Sequence, residues 1–298
     1  LHRVDRRQRQ MCIRDRMLAM ATRKLNLAGC PAPVADARLM LCAVLDVSPQ
    51  RLVLAGDATE EQAETFEQMI ERRSCGEPVQ YIVGHCWFRG RRLAVGPGVL
   101  IPRQETELVA GAVIDEARAL AVQGQCPVVV DLCTGSGAIA RAVAAEVPAA
   151  LVHAVDNSLE ALAWARRNLV DSGVQLHEGD ARCVPDVSDV NVVVTNPPYI
   201  PLSRAADMPS DVLDHEPHHA LFAGDQGMDL INALVPRMAR IVRPGGLVVM
   251  EHDDSHAAAV LALFGAGPWR EVVDHDDLAG RPRYVTARRD QFTVSARQ

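Results

Sequence analysis

The eight cysteines of this 298-residue chain stand singly, and the sequence contains no C-x-x-C pair. Disulfide frameworks and structural zinc sites use closely and regularly spaced cysteines, so neither is expected here. We therefore predict reduced thiols and a cytoplasmic location. His215, His218 and His219 have no cysteine or carboxylate at ligand spacing beside them, so a solvated loop at a substrate entrance explains them better than a metal site.

Long apolar runs and concentrated positive charge are also missing. No stretch approaches the roughly 18 apolar residues of a membrane span, so no membrane contact is expected. The formal net charge is −7. Residues 1–16 hold six Arg and two Asp, a charge of +4, which leaves −11 on the rest of the chain. An acidic body disfavours binding to a phosphate backbone, so we expect no direct binding of nucleic acid.

The length of the chain and its apolar content of 48% allow two domains with a sizeable core. Residues 1–16 have almost no apolar periodicity and do not begin with Met, so we predict a disordered or non-native leader. Residues 17–76 follow a helical pattern, in which Thr59 and Gln62 form a capping box. We predict a small helical bundle there, and both substrate recognition and simple support fit it.

Residues 77–103 have the pattern of a β-hairpin that turns near Gly90, and we predict that they link two domains. Strand and helix patterns alternate from residue 104 to 298. This alternation is typical of an α/β domain with a doubly wound, mostly parallel sheet. The last two predicted strands, near residues 271–274 and 284–287, are expected to form an antiparallel edge hairpin.

A glycine loop follows the first buried strand of the second domain. The loop comprises Cys133, Thr134, Gly135, Ser136 and Gly137. Strand, glycine loop and helix in this order form the nucleotide-binding half of a doubly wound sheet. Ala140 and Arg141 occupy the region where the third glycine of the dinucleotide fingerprint would fall, so a pyrophosphate cofactor is disfavoured.

Two carboxylates follow the next two predicted strands. Asp156 ends the second strand, where a carboxylate can accept hydrogen bonds from two ribose hydroxyls. Asp180 ends the third strand and could hold an adenine amino group. Each aspartate alone could be a simple turn residue. At successive strand ends, the two outline an adenosine site.

The fourth strand ends in an unusual corner. Three valines at 192–194 predict a buried strand, and two prolines stop it because proline donates no ladder hydrogen bond. The corner comprises Asn196, Pro197, Pro198 and Tyr199. A planar amide or aromatic amine can donate its two hydrogens to the Asn196 side-chain oxygen and a proline carbonyl, with Tyr199 on its face. Accepting those hydrogens returns electron density to a nitrogen whose lone pair is otherwise in resonance. A tight turn after a core strand is the alternative interpretation.

Together these motifs resemble class I S-adenosylmethionine-dependent methyltransferases, and in particular the peptide chain release factor glutamine methyltransferases, the HemK family. The resemblance runs from about residue 18 to residue 289. Its motifs are Q-Y-I-V-G at 80–84, L-I-P-R-Q-E-T-E at 100–107, D-L-C-T-G-S-G-A-I-A at 131–140, N-P-P-Y-I-P at 196–201, E-P at 216–217, A-L at 220–221 and the glycines at 224 and 227.

The resemblance implies S-adenosyl-L-methionine as cofactor and the glutamine of a Gly-Gly-Gln motif in release factors as substrate, in an enzyme that supports translation termination. We expect this enzyme to be a monomer. It implies that residues 133–137 wrap the methionine part of the cofactor and that Asp156 takes the ribose hydroxyls. Asp180 and Ala181 would flank the adenine, and the Asn196 to Tyr199 corner would hold the substrate glutamine. Family members often have Gly in place of Cys133 and an aromatic residue in place of Ala181.

Three classes of function remain open at this stage. The first is the glutamine methyltransferase, for which a ribosomal-protein glutamine is also a consistent substrate. The second is an adenine-N6 nucleic-acid methyltransferase, in which Tyr199 would stack on a flipped base, although the acidic body disfavours it. The third is a catalytically silent cofactor-binding module, which the presence of both Asn196 and Asp156 disfavours.

Overall fold

The computed structural model describes residues 2–56, 58–183 and 187–291, with side chains from Arg14 onward. The helices of the described residues are α1 (His2–Leu27), α2 (Pro33–Leu45), α3 (Glu60–Ser74), α4 (Val79–Val83), α5 (Thr106–Val122), α6 (Ala138–Glu146), α7 (Leu159–Asn168), α8 (Ser210–Leu213), α9 (Asp229–Ile241) and α10 (Ala257–Gly265). The strands are β1 (His85–Phe88), β2 (Arg91–Ala94), β3 (Val128–Leu132), β4 (Leu151–Asp156), β5 (Gln175–Glu178), β6 (Val190–Thr195), β7 (Val242–Glu251), β8 (Trp269–Asp276) and β9 (Pro282–Arg289).

These elements form two compact units. The described residues up to His85, together with Pro209–His215, form a helical unit. The described residues from Cys86 to Met208 and from Glu216 onward form an α/β unit. No helix in the described part of the chain is long and apolar enough to cross a membrane.

The helical unit has an apolar core of its own. Phe66 and Ile70 of α3 pack in a core with Met40 and Leu41 of α2. The predicted capping box is confirmed, because the Thr59 hydroxyl accepts from the Gln62 backbone N–H and the Gln62 side chain accepts from the Thr59 backbone N–H. Both bonds satisfy N–H groups that the first turn of a helix leaves without partners.

A buried ion pair also stabilises the helical unit. The Arg73 guanidinium donates to the Asp36 carboxylate at 2.7 Å and to that of Asp211 at 3.3 Å. The Arg73 and Asp36 side chains are 6% and 9% exposed. A charge buried to this degree must be paired. The bond from Arg73 to Asp211 connects α8, which carries Asp211, to α3 of the same helical unit.

The segment predicted to be a disordered or non-native leader is helical from residue 2 onward, since α1 begins at His2. Arg and Gln are good helix formers, so they extend the helix that Ala21 and Leu25 anchor in the core. Arg14 also contacts the unit, because its guanidinium donates to the carbonyls of Leu52 and Ala55 at 2.8 and 2.6 Å. The prediction relied on apolar periodicity, which shows neither the helix propensity of Arg and Gln nor the hydrogen bonds of Arg14.

The α/β unit is built on a seven-stranded sheet in the order β5-β4-β3-β6-β7-β9-β8. The strands from β5 to β7 pair in parallel, and β9 pairs antiparallel with both β7 and β8. This confirms the predicted doubly wound α/β fold with an antiparallel edge hairpin. The predicted hairpin near Gly90 is also confirmed, because β1 and β2 form a two-stranded sheet.

The strand order creates a switch point between the adjacent strands β3 and β6. From β3 the chain moves outward through β4 to β5, and it then returns to the other side of β3 with β6 and β7. In open parallel sheets, ligands bind outside the carboxyl ends of the strands at such a point. Every residue of β6 is buried, and its in-register pairing with β3 places Thr195 beside Leu132. The glycine loop and the Asn-Pro-Pro-Tyr corner therefore leave the same edge of the sheet.

Candidate active site

A cavity of about 370 Å³ lies at this switch point, entirely within the α/β unit. Its volume is within the roughly 300–1,000 Å³ typical of small-molecule sites. The wall comprises Gly98, Val99, Leu100, Cys133, Gly135, Asp156, Asn157, Ala161, Asp180, Ala181, Arg182, Asn196, Pro198, Pro217, His219, Ala220, Phe222, Ala223, Gly224, Asp229 and Leu230.

The glycine loop forms one side of the cavity through Cys133 and Gly135 only. Thr134 and Ser136 are buried and Gly137 precedes α6, so these three predicted residues do not reach the wall. Gly135 has a φ of 56°, and a Cβ there would meet no protein atom within 4 Å. Glycine thus allows the left-handed backbone and leaves space for a ligand beside it.

Asp131 stabilises the glycine loop through side-chain hydrogen bonds, a role that was not predicted from the sequence. Its Oδ2 accepts from the Thr134 hydroxyl at 2.6 Å and from the Ala140 N–H at 3.1 Å. The side chain is buried, and desolvation raises the pKa of Asp131 to about 7 in spite of these hydrogen bonds. An ionisable residue near the end of a buried strand was the feature of the sequence that could have indicated this role.

Asp156 lies in the wall with its carboxylate fixed by two backbone groups. Its Oδ2 accepts from the Gly135 N–H at 2.8 Å, and its Oδ1 accepts from the Ser158 N–H at 2.9 Å. An ionised carboxylate has about four lone-pair positions, so both oxygens can accept further hydrogen bonds. Asp156 is therefore oriented by the protein and still able to receive hydroxyl groups of a ligand.

Asp180 and Ala181 also lie in the wall, but Asp180 has a partner that the sequence did not indicate. The Arg182 guanidinium donates to both oxygens of the Asp180 carboxylate, at 2.5 Å for the shortest bond. These bonds hold the pKa of Asp180 below its ordinary value. Any amino group bound by Asp180 must therefore share it with Arg182, which is itself in the wall.

The Asn-Pro-Pro-Tyr corner contributes Asn196 and Pro198 to the wall, whereas Pro197 and Tyr199 are not part of it. The Tyr199 hydroxyl donates to Glu251 Oε1 at 3.0 Å. Gly227 packs against this corner, since a Cβ on Gly227 would lie 2.2 Å from the Tyr199 carbonyl oxygen. That approach holds the corner in place and requires glycine.

A hydrogen-bond network lies behind Asn196. The Asn196 Nδ2 donates to the Thr106 hydroxyl at 3.2 Å, and this hydroxyl donates to Glu251 Oε2 at 2.7 Å. Glu251 is 1% exposed, and desolvation raises its pKa to about 7. Thr106 and Glu251 were missed by the sequence analysis, because they are 145 positions apart in the chain.

Two loop segments complete the cavity. The first includes Gly98 to Leu100 and the second Pro217 to Gly224. Glu216 connects them, because its buried carboxylate accepts from the Ile101 N–H at 3.1 Å and from the Arg103 guanidinium at 2.6 Å. Each segment overlaps a motif of the resemblance, yet nothing in the residue types of the two segments indicated that they would meet.

The chemistry of the wall suits a neutral or cationic organic ligand better than a metal ion. Among the described residues, no group of three or more His, Cys, Asp and Glu side chains could hold a metal. His219 lines the cavity, whereas His218 stacks edge-on against Phe222. The wall combines carboxylates at two strand ends with a side-chain amide beside two prolines.

Comparison with known proteins agrees with this geometry. The family model of the PrmC N-terminal domain matches residues 16–84, and that of the methyltransferase small domain matches residues 113–212. The release factor glutamine methyltransferase of Streptomyces coelicolor is 44% identical, over 91% of this chain and 96% of its own length. That of Mycolicibacterium smegmatis is 40% identical, over 90% of this chain and 95% of its own length.

A relative with a different name is nearly as similar. The 4-amino-L-phenylalanine/4-methylamino-L-phenylalanine methyltransferase of Streptomyces pristinaespiralis is 40% identical, over 84% of this chain and 86% of its own length.

The α/β unit thus has the fold of the class I methyltransferases, with its cavity at the switch point of the sheet. The similarity to the curated relatives extends over both units of the chain. The chain belongs to the family of release factor glutamine methyltransferases.

Proposed function

We propose that the protein transfers a methyl group from S-adenosyl-L-methionine to the side-chain amide nitrogen (N5) of a glutamine in peptide chain release factors. The substrate would be the glutamine of the Gly-Gly-Gln motif, and the modification would support translation termination. The names of the relatives support this substrate. The observation that carries the proposal is Asn196, which lies in the cavity wall with its NH₂ group bonded to Thr106 and its oxygen left to accept.

The residues of the wall fit the cofactor. The open space beside Gly135 admits a ligand close to the backbone, and the fixed Asp156 carboxylate can accept from two ribose hydroxyls. The Asp180 carboxylate can accept a hydrogen bond from the adenine amino group in addition to the bonds that it accepts from Arg182. When bound, S-adenosylmethionine supplies a methyl group on a positively charged sulfur, so the leaving group needs no activation by the protein.

The protein's own task is to prepare the amide nitrogen. We infer that Asn196 Oδ1 and a proline carbonyl of the corner each accept one N–H of the substrate amide. These two bonds orient the nitrogen lone pair and return electron density to the nitrogen. As the new N–C bond forms, the nitrogen becomes positively charged, and the two acceptors stabilise this charge through their hydrogen bonds. Neither acceptor is a base, so one N–H proton passes to solvent after the transfer.

The partner is proposed to be recognised largely by the helical bundle of residues 17–76. Its surface includes an apolar groove of α1 and α3, lined by Met20, Leu27 and Phe66 with a volume of about 510 Å³. Met20 and Leu27 are 67% and 78% exposed. Exposed apolar clusters of this kind mark protein interaction sites. We further propose that the enzyme acts as a monomer without binding nucleic acid.

The proposal is tested by following the label from methyl-labelled S-adenosylmethionine. Four acceptors are compared: a release factor, the same factor with the glutamine of Gly-Gly-Gln replaced by alanine, free 4-amino-L-phenylalanine, and duplex DNA. We expect label in the intact release factor alone. Label in the amino acid would give the chain the activity named for the S. pristinaespiralis relative, and label in DNA would show an adenine methyltransferase.

A further inference from the structure

Two hydroxyl groups behind the cavity, those of Thr106 and Tyr199, converge on the carboxyl group of Glu251. Thr106 begins α5, Glu251 ends β7, and Tyr199 follows β6. The Thr106 and Tyr199 hydroxyls each donate to a different oxygen of Glu251. Burying a carboxyl costs several kcal/mol unless its hydrogen bonds are satisfied. Glu251 is nearly inaccessible, and it lies one hydroxyl away from Asn196.

The direction of these hydrogen bonds follows from counting hydrogens. A threonine hydroxyl has one hydrogen, and the ionised Glu251 carboxylate can only accept, so that hydrogen lies between Thr106 and Glu251. The Thr106 oxygen can then only accept from Asn196, and only the Asn196 NH₂ group can donate to it. The amide oxygen of Asn196 is left as the acceptor at the cavity.

We propose that Glu251 is a positioning residue for methyl transfer: through Thr106, it fixes which end of the Asn196 amide faces the substrate nitrogen. The inference rests on the proposed function, in which Asn196 Oδ1 accepts from the substrate amide. It assigns no contact with substrate or cofactor to Glu251. Its effect is to exclude the flipped amide, which would place Asn196 Oδ1 against the Thr106 oxygen with no hydrogen between these two acceptors.

Protonation of Glu251 removes this control. A protonated carboxyl can donate to the Thr106 oxygen, and the Thr106 hydrogen can then turn to Asn196 and hold the amide in the flipped orientation. Burial raises the pKa of Glu251 to about 7, so this change falls near neutral pH. The ionisable groups facing Glu251 are Tyr199 from the corner, Arg283 from β9 and Glu105 before α5. Arg283 opposes the rise in pKa and Glu105 adds to it.

The test uses Thr106→Val, which keeps the shape of the side chain and removes its hydroxyl, and Thr106→Ser, which keeps the hydroxyl. Thr286→Val is the matched control, because the Thr286 hydroxyl bonds His275 and takes no part in the network. We expect Thr106→Val to lower kcat about tenfold or more, the scale for one hydrogen bond in a charged network. Thr106→Ser and Thr286→Val should stay near the wild type, with cofactor affinity by calorimetry unchanged in all three.

Glu251→Gln supplies a readout that a merely structural residue would not change. The wild type should lose kcat below about pH 7, measured at saturating cofactor and substrate, and Glu251→Gln should have a lower kcat without this acid limb. Asp131 also titrates near this pH, so Asp131→Asn is compared, and it should keep the limb. An acid limb that survives in Glu251→Gln, or a Thr106→Ser variant as inactive as Thr106→Val, would overturn the inference.

The proposed function and this inference can fail separately. If the wild type labels no release factor, the proposed function is wrong. The inference is then decided by hydrogen exchange of the Asn196 side-chain NH₂ group, followed by NMR in the full chain. Slow exchange in the wild type that becomes fast in Thr106→Val supports the network, and equal rates refute it. Thermal unfolding of each variant shows whether it is folded.

Discussion

At the residue scale, Cys133 occupies a backbone conformation that suits glycine. Its φ is 58°, in the left-handed region, where a residue with a Cβ pays roughly 1–2 kcal/mol. The neighbouring glycines at 135 and 137 have φ values of 56° and 80°. The Cys133 side chain packs against the core of the sheet, and these contacts offset part of the strain.

Replacing Cys133 by valine and by glycine should separate these two effects. Valine is β-branched and poorly suited to positive φ, so Cys133→Val is expected to lower the free energy of unfolding by about 1–2 kcal/mol. Cys133→Gly relieves the strain and offsets the lost packing, so it should leave stability within about 0.5 kcal/mol of the wild type. Urea denaturation measures both. Equal losses in the two variants would show that packing, and not backbone strain, dominates at this position.

Asp156→Ala should weaken binding of S-adenosylmethionine by roughly 2–3 kcal/mol, the range for hydrogen bonds to a charged group. Calorimetry measures the affinity, and Asp156→Asn is the matched control that keeps the shape and one acceptor oxygen. The Ala variant also leaves the N–H groups of Gly135 and Ser158 without their partner. An unchanged affinity in Asp156→Ala would remove this residue from the proposed cofactor site.

Asn196→Ala should lower turnover about 10²-fold or more, the scale for loss of one preorganised electrostatic contact. From the sequence alone, Asn196→Asp would be expected to retain more activity, because it keeps an acceptor oxygen. The structure reverses that expectation. An aspartate at 196 and Glu251 would compete for the single Thr106 hydrogen, and the two neighbouring carboxylates would repel each other. We expect Asp to be no better than Ala in kcat at saturating substrates, and near-normal turnover with Ala would refute the mechanism.

At the scale of elements, α1 and α5 end in equally exposed apolar residues with different surroundings. Leu27, the last residue of α1, lines the apolar groove and is 78% exposed. Val122, the last residue of α5, is 84% exposed and lies outside the groove. Single exposed apolar residues are normal on protein surfaces, and it is their clustering in the helical unit that indicates an interaction site.

Leu27→Asp should raise the KM for an intact release factor about tenfold, because it puts a charge into an apolar contact. The KM for a short peptide containing Gly-Gly-Gln should stay unchanged, because such a peptide offers only the residues around the reacting glutamine. Val122→Asp controls for an acidic residue at a helix end and should change neither value. If Leu27→Asp acts on both substrates alike, the groove does not recognise the partner.

At the scale of the whole molecule, the α/β unit carries two buried carboxyl groups that oppose its stability at high pH. Burial raises the pKa of Asp131 from 3.8 to about 7 and that of Glu251 from 4.5 to about 7. Both groups bind protons more tightly in the folded than in the unfolded chain. Their favourable contribution is therefore complete below about pH 4 and is lost as the pH rises through about 7.

The free energy of unfolding should accordingly fall from pH 5 to pH 8 by more in the wild type than in Glu251→Gln, which cannot ionise at this position. The difference is on the order of 3 kcal/mol, at 1.36 kcal/mol for each unit of pKa shift. Urea denaturation of the two proteins at several pH values measures it. Parallel curves would mean that Glu251 ionises with a pKa near its ordinary value.

Local sequence patterns were sufficient for most of the fold. The valines of β3 and β6, the glycine loop and the capping box of α3 each depend on neighbours within a few residues, and the structure confirms all of them. Asp156 and Asn196 could be named because parallel strands place their carboxyl ends at one edge of the sheet. The resemblance to a known family supplied the substrate, which the residues alone left open.

What the sequence determined by itself is the series of strands and helices, the strand-end carboxylates and the proline corner, because propensity and periodicity act locally. Only the tertiary structure decided that Thr106 and Glu251 would meet behind Asn196 and that the Tyr199 hydroxyl would bond to Glu251. Such pairs depend on sheet order and on the need of buried polar groups for partners. The partners of these buried groups come from segments that are far apart in the chain, so no local periodic pattern of the sequence predicts them.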